Sequence, residues 1–116
     1  MTNAKKKNHL MEVVGNVLAE HLEKNSPVTA AFDPFLVRFP VIGTGNIGTM
    51  KLTYDAPGKV RLQLGVYRNG TDRLYSNFMP SAAAEEMIRW LRDPATHQEW
   101  LEQIQHLSDR VDDYWD

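Results

Sequence analysis

The sequence contains no cysteine. Disulfide bridges, thiolate chemistry and cysteine-based zinc sites are therefore excluded. It also lacks a long apolar run: no stretch approaches the ~20 residues needed to cross a bilayer. Its first eight residues are polar and basic, and the apolar residues after them are interrupted by Glu12, Gly15 and Glu20. That pattern does not read as a signal peptide, and a cytoplasmic location is the expectation. His9, His21, His97 and His106 show no i, i+4 spacing of a helical metal pair, so neither a metal nor another cofactor is expected.

What is present is the balance of a globular domain. The chain has 116 residues, 42% hydrophobic and 24% charged, enough for one core and too little for a second. The net charge of −2 is unevenly placed. Lys and Arg dominate residues 1–80, whereas residues 81–116 hold nine Asp/Glu against three Arg. An acidic final segment can serve as a solvated helix face or as a contact for a basic partner.

Residues 4–24 read as a helix. Leu10, Val14, Val17, Leu18 and Leu22 recur at helical spacing beside Val13, and Asn25, Ser26 and Pro27 stop it. Residues 1–8 are expected to include a flexible basic tail. Phe35, Val37, Phe39 and Val41 then share one parity, the mark of a half-buried strand. Pro34 and Pro40 push that strand to a sheet edge. Met50, Leu52 and Tyr54 form a second alternation, and Val60, Leu62, Leu64 and Val66 a third, with a turn at residues 56–58. A three-residue Arg68-Asn69-Gly70 loop would pair Val66 with Asp72, Leu64 with Leu74 and Val60 with Phe78. Ser81 suits the N-cap of a following helix, and Asp93-Pro94 ends that helix and starts another. In the last helix Trp100, Ile104, Leu107, Val111 and Tyr114 step by four, three, four and three. The expected fold is a single α+β domain over 1–116: an N-terminal helix, a four-stranded antiparallel meander and two C-terminal helices packed on one sheet face.

Gly43-Thr44-Gly45-Asn46-Ile47-Gly48 fits G-x-G-x-x-G. A dinucleotide site needs a helix after the glycines to hold the pyrophosphate, and here a strand follows. The stretch Ile42–Leu52 resembles the glycine-rich loop of protein kinases, which would imply backbone amides over ATP phosphates. The chain lacks the Val-Ala-Ile-Lys, His-Arg-Asp and Asp-Phe-Gly elements that accompany that loop. The expected role is a hairpin connection without a bound nucleotide.

Two surfaces remain as binding candidates. The polar parity of the sheet carries Arg38, Lys51, Arg61, Tyr67 and Tyr75, cations and rings of the kind that sheet-based nucleic-acid readers use. In outline the element order is similar to double-stranded-RNA-binding domains, which would imply a Lys-rich start to the last helix; residues 81–86 are neutral to acidic instead. The second candidate is the end of the last helix, where Trp100, Val111, Tyr114 and Trp115 could anchor a protein partner or a second copy. No nucleophile has a neighbouring base, and the pairs Glu85-Glu86 and Asp112-Asp113 point different ways on a helix. The chain is therefore read as a non-enzymatic adaptor, inhibitor or antagonist-type domain. A nucleic-acid-binding accessory protein is the alternative, and a subunit of a larger enzyme with a phosphate-contacting glycine loop comes third.

Overall fold

Helix α1 spans Asn3–Lys24. Met11, Val14, Leu18, Ala19 and Leu22 are buried along it, a stripe at spacings of three and four that turns one face inward. The computed structural model describes residues 3–24, 33–56, 58–73 and 81–114. Two sequence expectations change here. Residues 3–8, expected within a basic tail, lie in helix α1. Val13 and Val17 are 45% and 39% exposed: the buried stripe is centred on Met11, Gly15 and Leu18, which leaves both valines on the outer side.

Strands β1 (Phe35–Pro40), β2 (Ile47–Ala56), β3 (Lys59–Arg68) and β4 (Thr71–Arg73) form an antiparallel meander in that order. The register is the one the alternation demands, with Leu52 opposite Leu62 and Tyr54 opposite Val60. Leu62 and Leu64 are fully buried, whereas Arg61 and Gln63 lie half-buried on the other face. Among the described residues strand β1 is an edge, paired to β2 alone, and Pro40 ends it where a missing N–H costs least.

The β3–β4 turn departs from expectation. Arg68 faces Thr71, so the loop has two residues. Asn69 (φ 54°) and Gly70 (φ 79°) are both left-handed, the requirement of a type I′ turn whose twist suits the flanking strands. Val66 consequently faces Arg73, and Asp72 faces Tyr67, which brings Asp72 onto the polar side of the sheet. A short fifth strand, β5 (Ser81–Ala83), pairs with the other end of β3, placing Ala82 and not Phe78 opposite Val60. Leu74 and Phe78 lie outside the described residues.

Ser81 is thus a strand residue and not a helix cap. Helix α2 (Ala84–Arg92) begins after Ala83 with no side-chain cap. Asp93 does cap helix α3 (Pro94–Tyr114): its carboxylate accepts the Ala95 N–H at 3.0 Å. All three helices pack on one sheet face. Met87, Leu91, Trp100, Ile104, Leu107 and Val111 join the α1 stripe and the inner residues of β2 and β3 in one core, each large side chain contributing about 1.5–3 kcal/mol by leaving water. Helices α1 and α2 approach closely at Gly15. They are also tied by a bidentate pair in which Arg92 donates to both Glu23 oxygens at 2.8 Å. That hydrogen bonding holds the Glu23 carboxyl below its ordinary pKa and raises that of Arg92.

Candidate functional site

The glycine-rich segment is a pinned turn. The Thr44 N–H donates to the Val41 carbonyl at 3.0 Å, and the Val41 N–H donates to the Asn46 carbonyl at 3.0 Å. The Asn46 N–H donates to Thr44 Oγ1 at 3.1 Å. Its side chain reaches across to α3 and donates to Ser108 Oγ at 2.7 Å. The three glycines have different origins. Gly43 adopts a left-handed φ of 92°. At Gly48 a Cβ would lie 2.7 Å from the Phe39 ring, so its absence makes room for that ring. Gly45 has open space around it. Local geometry and one packing contact account for Gly43 and Gly48, and the amides of Val41, Thr44 and Asn46 are turned inward to the protein's own acceptors.

Asn46 is 8% exposed and Ser108 is fully buried, so the Asn46–Ser108 contact fixes the turn against α3. Asn46→Ala removes the donor that the buried Ser108 hydroxyl accepts. A loss of about 1–3 kcal/mol is expected, read by urea unfolding. A midpoint equal to wild type would show that water replaces the contact without cost.

The polar sheet face is organised by carboxylates. At one end Arg38 Nη2 donates to Asp72 Oδ2 at 2.9 Å, and Thr49 Oγ1 donates to Asp72 Oδ1 at 2.6 Å. The Arg38 guanidinium also lies 4.1 Å from the centre of the Tyr67 ring, a cation–π contact. At the other end Asp55 accepts Ser81 Oγ at 2.5 Å and Arg61 Nη2 at 2.7 Å. The Ser81 hydroxyl first, and Arg61 after it, hold the Asp55 carboxyl below the usual range. Arg38, Lys51, Arg61 and Tyr67 do share this face. However, both arginines are paired with acids, and half-buried Lys51 has an interaction of its own. Tyr75 lies outside the described residues.

Helix α3 has two working sides. Trp100 and Val111 are 2% and 0% exposed, so the regular seam is spent on the domain's own core and those two residues present no surface to a partner. Trp115 lies outside the described residues, as does the side chain of Tyr114. The other side of α3 borders a cleft of about 530 Å³. Its apolar lining comes from Leu10 and Met11 of α1, Phe39 of β1, Val41 and Ile42 of the β1–β2 connection, and Leu101 and Ile104 of α3. Its polar lining is Lys7 and Asn8 on one wall and Gln98, Glu102, Gln105, His106 and Asp109 on the other. Gln105 donates to Asp109 at 3.2 Å, holding that carboxylate along the rim. The pinned Asn46 turn builds one end of this cleft. The sequence reading missed it; Leu101, an apolar residue beside the seam and not in it, was the available signal.

These features define a class only at the level of architecture, an α+β domain with three helices on one face of a small antiparallel sheet. No family model, curated protein or solved structure matches the chain. Among the described residues no helix is long and apolar enough to cross a membrane.

Proposed function

We propose that the chain is a non-catalytic protein-binding domain, and that its contact site is the cleft between α1, the β1–β2 turn and α3. The observation that carries this reading is an apolar-floored cleft of about 530 Å³ with Glu102 and Asp109 on one wall. That size lies within the range of small binding clefts. An apolar side chain fits the floor formed by Leu10, Val41, Leu101 and Ile104. The two carboxylates beside it favour a partner segment that carries Lys or Arg next to that anchor, and complementary charge speeds the encounter. The ion pairs Arg38–Asp72 and Arg61–Asp55 lower the cationic potential of the sheet face, which counts against the nucleic-acid alternative.

The test is titration of isotope-labelled protein with short basic peptides bearing one Leu or Phe. Saturable amide shifts at Ile42, Leu101, Ile104 and Gln105 are expected. Glu102→Lys with Asp109→Lys should weaken binding about tenfold at low salt and leave the fold intact, because both residues are exposed. Shifts confined to the sheet face, or peptide affinity indifferent to both charge reversals, would sink this reading.

A further inference from the structure

Gln98, Glu102, Gln105 and Asp109 step by four, three and four, so they form one row along the outer edge of α3. All four line the cleft. Each carboxylate is held along the helix axis by the glutamine one turn before it: Gln105 donates to Asp109 at 3.2 Å, and Gln98 reaches Glu102 at 3.5 Å. The row therefore presents two negative charges seven residues apart, about 10.5 Å along the axis. Beside it Leu101 and Ile104 contribute to the apolar floor, which Leu10 joins from α1. Lys7 stands half-buried on the facing wall. The charges of the cleft are thus divided by side, and the negative side has a set spacing. An extended segment covers about 10 Å in three residues, whose first and last side chains point to opposite faces. A helix covers it in two turns, with both positions on one face and the third and fourth positions between them on the same stripe.

We propose that the partner segment enters the cleft as an amphipathic helix, with two Lys or Arg residues seven positions apart against Glu102 and Asp109 and apolar side chains at the third and fourth positions between them on the floor. This rests on the reading of the cleft as a protein-contact site, and adds to it the conformation and the charge spacing of the partner. Lys7 repels cations on the α1 side, so the fit is to a helix that is basic along one edge and not to a uniformly basic one.

Three Ala-rich peptides test it against the full, isotope-labelled chain. The first carries Lys at positions i and i+7 with Leu at i+3 and i+4. The second has the same composition with the lysines at i and i+5, which lie on different sides of a helix. The third is the first with Pro at i+5, which breaks the helix. The first peptide should give saturable amide shifts at Leu101, Gln105 and Asp109 and should gain helical circular dichroism on binding. The second and third should each bind about tenfold more weakly. Glu102→Gln and Asp109→Asn should each reduce the preference for the first peptide over the second, and the fold should stay intact because both residues are exposed. Equal affinity for all three peptides, with shifts still in the cleft, overturns the helical partner and leaves the cleft as a protein-contact site. A preference that survives both substitutions overturns the role of the two carboxylates. Shifts outside the cleft, or none with any peptide, remove this proposal together with the reading on which it rests.

Discussion

Gly15→Ala is expected to destabilise the protein, and Gly45→Ala to stabilise it, although the two substitutions are chemically identical. Gly15 sits in the middle of α1, where alanine would normally gain about 1 kcal/mol from helix propensity. Here a Cβ would lie 2.0 Å from the Leu91 carbonyl oxygen and 3.0 Å from His97 Nε2. Both neighbours are fixed. The Leu91 carbonyl belongs to the last turn of α2, and the His97 ring hydrogen-bonds to it at 2.8 Å. The clash is therefore with backbone and with a buried ring, neither of which can swing aside. Relief requires α1 to move off α2, which opens the core around Leu18 and Leu91 and strains the Glu23–Arg92 pair. A steric cost of about 3 kcal/mol against that ~1 kcal/mol gain leaves a net loss near 2 kcal/mol, or roughly 8 °C in Tm for a chain of this length. Gly45 has nothing within 4 Å of its virtual Cβ and no left-handed φ, so alanine there should raise stability by about 0.4–1 kcal/mol through the unfolded chain. Thermal unfolding of the two variants checks both signs. An unchanged or raised Tm for Gly15→Ala would show that α1 and α2 are packed less tightly than their separation implies.

That glycine also marks the limit of what periodicity reveals. The alternation of Leu52, Leu62 and Leu64 with Lys51, Arg61 and Gln63 gave the sheet register directly, because a one-residue slip would exchange every inner and outer residue. The Asp93 cap and the α3 seam from Trp100 to Val111 were equally local, and both stand. In α1 the apolar residues surround more of the helix than one face needs. Hydropathy cannot tell that Gly15 and Ala19 face inward while Val13 and Val17 face out; the tight approach of α2 decides it. The turn after β3 was misread for a related reason. Pairing Val66 with a charged residue looked costly, yet the backbone preference of Asn69-Gly70 for two left-handed residues won, and β4 ends at Arg73. The cleft was the least legible feature. Its lining comes from α1, the β1–β2 turn and α3, segments far apart in sequence that Asn46 and Ser108 bring together, and no single stretch carries its pattern.

Trp100→Ala is expected to be the most damaging single side-chain truncation in α3. Trp100 is 2% exposed and begins the buried seam that continues through Ile104, Leu107 and Val111. Its ring centre lies 5.2 Å from that of His97, the two planes tilted by 43°, so it also braces the imidazole that bonds to the Leu91 carbonyl. Removing the indole deletes the transfer free energy of a large aromatic group and leaves a cavity that rigid helices on one side and the sheet on the other cannot close. The expected loss is about 3–5 kcal/mol. At roughly 4 °C per kcal/mol that is a fall in Tm of about 12–20 °C. Trp100→Phe keeps most of the apolar volume and should cost less than half as much. Because the His97 ring rests against the indole, the near-ultraviolet dichroism should also lose fine structure in Trp100→Ala. The alternative role for Trp100, an anchor for a partner, makes the opposite forecast: Tm would stay near wild type, and association alone would fall. Measuring both Tm and sedimentation on Trp100→Ala separates the two. A stable, well-folded variant with weakened association would return Trp100 to the surface and with it the contact at the end of α3.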